Sequence, residues 1–201
     1  MSKRILSIIA AVALTLFAGA ASAQQLSLAQ ISAYLNQLQT AQGGFTQINA
    51  DGTISTGQIY IKRPGRIRFE YNAPSEALVV AGGGQLAVFD ARSNTGPERY
   101  PLSQTPLSII LQENVDLDRA DMVTNVVSDG TTTTVTAQDP ENPNYGSIQL
   151  VFTANPTELR QWIVTDDVGT ETTVILNDLI SGSVIRDVLF NIRAETRNRG
   201  N

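Results

Sequence analysis

Hydrophobic positions in this chain change period at a double glycine. Before Gly43-Gly44, between Gln25 and Gln39, the apolar residues Leu26, Leu28, Ile31, Tyr34, Leu35 and Leu38 largely follow i, i+3, i+4, i+7 spacing and predict one amphipathic helix. Beyond it, short runs rich in Val, Ile, Thr, Tyr and Phe alternate with Gly, Asp, Asn and Pro, which predicts a β-meander over 45–50, 54–62, 66–71, 77–81 and 85–90. The meander breaks at Pro101-Leu102-Ser103-Gln104-Thr105-Pro106. The compact apolar stretch of Leu107, Ile109, Ile110 and Leu111 follows, read as a short helix with Thr105 as N-cap and Pro106 at its first position. Strands resume at 121–128, 131–137, 147–153, 158–165, 171–177 and 187–193, with Asp129-Gly130 and Asn155-Pro156 as turn signals. The segment from Val174 to Ile192 is apolar on a mixed period, so a third helix and a strand both remain open there.

About eleven antiparallel strands must curl or split into two layers, and two helices need an apolar surface to cover. The expected fold is mainly β: a strongly curved antiparallel sheet with the short helices across its concave side. A β-sandwich with a helix packed at one edge is the alternative.

The segment Lys62-Arg63-Pro64-Gly65-Arg66-Ile67-Arg68-Phe69-Glu70-Tyr71 joins a turn to an alternating strand. Pro64 lacks an N–H and Gly65 tolerates positive φ, so the pair ends one strand before the next begins. Alternation then places Ile67, Phe69 and Tyr71 on an apolar face, and Arg66, Arg68 and Glu70 on one expected to be wet. From the residues alone, Arg63 sits solvated at a strand end.

Lys3 and Arg4 precede an apolar run from Ile5 to Ala18 and then Ala21-Ser22-Ala23, the pattern of a secretory signal peptide over 1–23. One domain is expected over 24–201. The leader holds two of the 14 basic residues and no acid, so the remainder has 12 against 19 acids, a net charge of −7 that disfavours nucleic acid as a partner. With no cysteine, the exported chain is held by its core and cannot be lipid-modified at an N-terminal Cys. The lack of both histidine and cysteine removes Ser-His-Asp and Cys-His nucleophiles and ordinary zinc sites. Gly82-Gly83-Gly84 lies between strands with no Lys-Ser or Lys-Thr after it and reads as a hairpin turn. No catalytic or metal-binding residue and no cofactor is assigned.

In order along the chain come Phe45-Thr46-Gln47, a strand ending in Lys62-Arg63-Pro64, Phe69-Glu70-Tyr71 with Pro74 three on, Leu78 to Gly82, and Thr105-Pro106 before an apolar helix. Together they resemble the LolA family of periplasmic outer-membrane lipoprotein carriers. The resemblance implies a mainly β fold with an α lid: an incomplete, strongly curved antiparallel barrel of about eleven strands, covered by short helices over an apolar cavity. It also implies a non-enzymatic, monomeric chaperone that takes triacylated lipoproteins from an inner-membrane ABC transporter to an outer-membrane receptor. Arg63 matches the family's latch, which hydrogen-bonds lid carbonyls, here expected near Ile110 and Leu111. The implied lid residues are Leu35, Ile109, Ile110 and Leu111, and the implied acyl-chain cavity residues are Phe45, Ile67, Phe69, Leu78, Val80, Leu86 and Val88. Taken singly, each of these reads as ordinary core. The same fold carrying a glycolipid or free lipid, and a secreted β-sandwich that binds no lipid, are the alternatives.

Overall fold

A computed structural model describes residues 25–90, 95–118 and 121–199; the expected signal peptide lies outside them. The first helix, α1 (Leu28–Gln37), starts at Ser27, whose hydroxyl accepts the Gln30 N–H while the Gln30 side chain accepts the Ser27 N–H. The meander follows as β1 (Thr40–Ile48), β2 (Ile54–Lys62), β3 (Ile67–Tyr71), β4 (Leu78–Gly82), β5 (Gln85–Phe89) and β6 (Glu98–Pro101). A 3-10 turn at Leu102–Gln104 leads into α2 (Leu107–Leu111), and then come β7 (Val123–Ser128), β8 (Thr132–Gln138), β9 (Ser147–Thr153), β10 (Glu158–Thr165) and β11 (Glu171–Ser181). Another 3-10 turn stands at Pro143–Tyr145 between β8 and β9, and a third at Asp187–Phe190 leads into α3 (Ile192–Asn198).

Among the described residues, the eleven strands lie in one antiparallel sheet, in the order β6-β5-β4-β3-β2-β1-β11-β10-β9-β8-β7. Two meanders are thus sewn together where β1 pairs with β11, and β6 and β7 are left as free edges. Register shifts in β1, β10 and β7 mark bulges, which bend strands and increase their twist. This is the incomplete curved barrel, not a sandwich.

The two sheet faces have different covers. On the concave side α1 contributes Ile31 and Leu35, and α2 with the loop after it contributes Ile109, Ile110, Leu111, Val115 and Leu117. They pack on Phe45, Ile59, Ile67 and Phe69 from one meander and on Val135, Leu150, Phe152 and Trp162 from the other. Edge-to-face contacts bridge the hollow: Phe45 to Phe69 at 5.3 Å between ring centres and Phe69 to Trp162 at 6.2 Å. On the convex side Leu78, Val80, Ala87 and Phe89 are covered by Ile185, Phe190 and Ile192 of the C-terminal segment.

Several expectations change. Residues 187–193 are not a strand: the 3-10 turn and α3 stand there instead, while β11 runs on to Ser181 because β1 is long enough to pair with it as far as Ala41. The polar strand β6 has all four residues exposed and so carried no alternation to read. Thr105 is not the cap of α2; its hydroxyl donates to the Leu102 carbonyl of the preceding turn. The charged face of β3 is not wet, since Arg68 is only 6% exposed beneath the C-terminal segment.

Candidate functional site

Strand β2 ends at Lys62 because Pro64 cannot donate to the ladder and Gly65, at φ +69°, reverses the chain. The turn is fixed by the Lys62 N–H to the Arg66 carbonyl at 3.0 Å and the Arg63 N–H to the Gln39 carbonyl at 2.8 Å. Arg63 therefore leaves a rigid corner and points under both helices. Its guanidinium donates to the Leu35 carbonyl in α1, to the Gln112 carbonyl at the end of α2, and at 3.3 Å to the Asn36 Oδ1. One side chain thus joins the two lid helices to the sheet. Its neighbour in the turn assists, for the Gly65 N–H donates to the Leu111 carbonyl at 2.8 Å.

These acceptors are last-turn carbonyls, which lack intrahelical partners and carry the negative end of the helix dipole, so a cation suits them. A guanidinium supplies several fixed donors to meet acceptors on two elements at once. Burial to 4% exposure has a cost: it lowers the Arg63 pKa from its ordinary value, and Nε is left without an acceptor.

Asn36 completes the clamp. Its Nδ2 donates to the Val115 carbonyl at 2.8 Å and its Oδ1 accepts the Val115 N–H at 2.9 Å, so the amide pairs with that backbone as a neighbouring strand would. One helical turn earlier, the Ser32 hydroxyl accepts the Leu117 N–H at 3.0 Å. The sequence reading missed both residues. Their signal was a pair of hydrogen-bonding side chains four apart at the edge of the apolar stripe of α1.

The lid residues Leu35, Ile109, Ile110 and Leu111 and the sheet residues Phe45, Ile67 and Phe69 all meet in the concave core. Leu86 is half-buried against that core, and Val88, also half-buried, shares its face through pairing with Val79. Leu78 and Val80 do not join them: they point to the convex side, into the cluster with Phe190 and Ile192. The inward residues of β4 are Val79 and Ala81, which pair with Phe69 and Ile67. The carbonyls that accept from Arg63 are those of Leu35, in the first helix, and Gln112, one residue beyond the expected Ile110–Leu111; the Leu111 carbonyl accepts from the Gly65 N–H instead.

Beside α2 a groove of about 570 Å³ opens between Leu86 and Tyr100 on one side and Tyr145 and Val164 on the other, floored by Pro106 and Leu107. Among the described residues no helix is long and apolar enough to cross a membrane.

Fold and clamp together define a class: one open, curved sheet whose apolar hollow is stoppered by short helices tied down by an arginine. The chain matches the family described as outer membrane lipoprotein carrier protein LolA over residues 36–193 and belongs to that family. Among curated relatives, an outer-membrane lipoprotein carrier protein of Coxiella burnetii (strain CbuK_Q154) is 30% identical over 144 residues, 67% of this chain and 68% of that protein. One from Cupriavidus taiwanensis is 32% identical over 137 residues, 62% of this chain and 64% of that protein. A solved outer membrane lipoprotein-sorting protein domain from Vibrio parahaemolyticus superposes with a TM-score of 0.50 at 10% identity, covering 85% of this chain and 97% of that one, a likeness of fold.

Proposed function

We propose that this chain is a non-enzymatic periplasmic carrier that shields the acyl chains of triacylated lipoproteins. It receives them from an inner-membrane ABC transporter and gives them to an outer-membrane receptor after its leader, residues 1–23, has been removed. The observation that carries the reading is the position of Arg63. A buried cation that ties two apolar helices over an apolar hollow is a costly way to stabilise a core and a sensible way to close a container.

In the closed arrangement Leu35, Ile109, Ile110 and Leu111 fill the space that acyl chains would take. Cargo enters by displacing them along the groove beside α2, with the side chains of Phe45, Ile67, Phe69, Leu86 and Val88 as the apolar wall. Each buried CH₂ contributes about 0.8 kcal/mol, so one long acyl chain is worth on the order of 10 kcal/mol of gross transfer. A lid that must be opened subtracts its own closing free energy from that sum, leaving a complex that can be unloaded. No bond is made or broken.

The test is native mass spectrometry of the chain recovered from a periplasmic extract, followed by organic extraction. A bound triacylated lipoprotein supports the proposal. A bare phospholipid or glycolipid on the same protein would replace it with a lipid carrier, and an empty protein under conditions that preserve a known carrier complex would refute both.

A further inference from the structure

Charge in this protein is segregated in space. The C-terminal segment from Ile185 to Arg199 lies on the convex face with Arg186, Arg193, Arg197 and Arg199 exposed. Beneath it stand Lys62 and Arg66, both 2.7 Å from Asp187; Arg68, 3.0 Å from Glu195; and Arg99, which donates to the Thr196 hydroxyl at 3.1 Å. Among the described residues, with Asp187, Glu195 and Glu70 counted, this face holds eight cations against three acids, whereas the remainder holds two cations, Arg63 and Arg160, against sixteen acids. A net charge of −7 therefore conceals a basic plate on an acidic body.

The plate has relief as well as sign. A groove of about 570 Å³ between the C-terminal segment and the β4–β5 hairpin is lined by Arg66, Arg99 and Arg193 and by the backbone of Gly82 and Gly83. Its one acid, Asp187, is already held by Lys62 and Arg66. Arg186, Arg193 and Arg197 enter none of the ion pairs among the described residues. Around them aliphatic side chains stand in water: Val184 is 98% exposed, Ile180 61% and Val188 52%.

We infer that this convex face docks the protein on anionic lipid headgroups at a bilayer surface. Guanidinium groups bind phosphates as forked donors, and aliphatic side chains between them have a place to go only where headgroups give way to acyl chains. An acidic protein surface would satisfy the arginines but would leave Val184 without an apolar partner. Repulsion from the acidic body does not prevent the contact, because charges beyond a Debye length of about 8 Å at physiological salt are screened from the surface. The latch and the groove beside α2 serve the opposite, concave side of the sheet, so a protein docked this way keeps its lid free. The inference goes beyond the carrier reading and does not depend on what the hollow holds.

The experiment is flotation of the chain, as processed by its host, with vesicles of phosphatidylcholine alone and of equimolar phosphatidylcholine and phosphatidylglycerol. Binding is expected only to the mixture and is lost when salt is raised to about 0.5 M. Arg186→Glu/Arg193→Glu/Arg197→Glu, three exposed positions outside the ion pairs, should weaken binding by about 100-fold or more, each basic residue near an anionic surface being worth about fivefold. Arg160→Glu, an exposed position on β10, should leave it unchanged. Equal binding to both vesicle types, equal binding by the triple variant and the native chain, or no binding by the native chain would each overturn the inference. Cargo retention, measured on the same variants, reports separately on the carrier reading and is expected to be unaffected.

Discussion

Replacing Arg63 by Leu removes the tie between lid and sheet while keeping an apolar stem in the same corner. Two hydrogen bonds from a charged donor to the carbonyls of Leu35 and Gln112 disappear, each worth about 1.5–3 kcal/mol. Against this, the variant no longer buries a guanidinium whose Nε lacks an acceptor, which returns part of the desolvation cost. The closed lid should lose roughly 2–3 kcal/mol net, a factor of about 30–150 in the closed-to-open ratio. Amide hydrogen exchange gives the assay: residues 107–117 should exchange faster by that factor, while β8, β9 and β10 serve as an internal reference for global stability. In the proposed carrier function, where cargo takes the space the helices fill, affinity should rise by the same factor and transfer to the receptor should slow. Arg63→Lys should fall between, since one ammonium cannot reproduce the fork that reaches both helices. Unchanged exchange over 107–117 together with unchanged transfer would refute the latch; faster exchange everywhere by a common factor would make Arg63 a core residue and nothing more.

Gly82→Ala places a Cβ 2.1 Å from the Phe190 carbonyl, a distance that backbone must yield to, so the C-terminal segment should lift from the convex face. Limited proteolysis between residues 182 and 199 should accelerate while the concave core stays protected; equal protection in the variant would show that the segment adapts. Burial raises the Tyr71 phenol to about 12, and its hydroxyl donates to the Gln47 Oε1 at 2.6 Å. A raised folded-state value means the contribution is complete below pH 10 and is lost as pH climbs from about 10 to about 12, an alkaline loss on the order of 3 kcal/mol. Tyr71→Phe should flatten that part of the stability profile, and an unaltered profile would count against it.

The strands that the sequence revealed were those with one buried face and turn chemistry at both ends, such as β2, β8 and β9. Strand β6 was invisible because Glu98, Arg99, Tyr100 and Pro101 are all exposed on an edge, where no burial pattern is written. Strand β4 misled for the opposite reason. Both its faces are covered, so Leu78 and Val80 looked as suitable for the hollow as Val79 and Ala81, and only the convex cover formed by Phe190 and Ile192 tells them apart. Distant covering also explains Arg68, whose charge suggested water until residues 189–195 closed over it. Within the site, Arg63 was reached through the resemblance of Lys62-Arg63-Pro64, because a lone arginine at a strand end carries no sign of what it will touch. Asn36 was not reached, since its role depends on Val115, 79 positions away.

The separation of β6 from β7 bears on the size of guest that the proposed carrier could take. A sheet bonded to itself around a full circle has a bore fixed by strand number and stagger, and widening it means breaking ladder bonds. Here the ring is never joined, so the two meanders can spread about the β1–β11 seam with every one of their hydrogen bonds intact. Resistance comes from side chains losing contact across the hollow and from the hydrogen bonds that tie the helices to the two halves; in the proposed carrier an incoming acyl chain would restore the apolar contact as it arrives. As the proposed carrier, the vessel would have no set capacity: like a hand, it would be as large as what it holds.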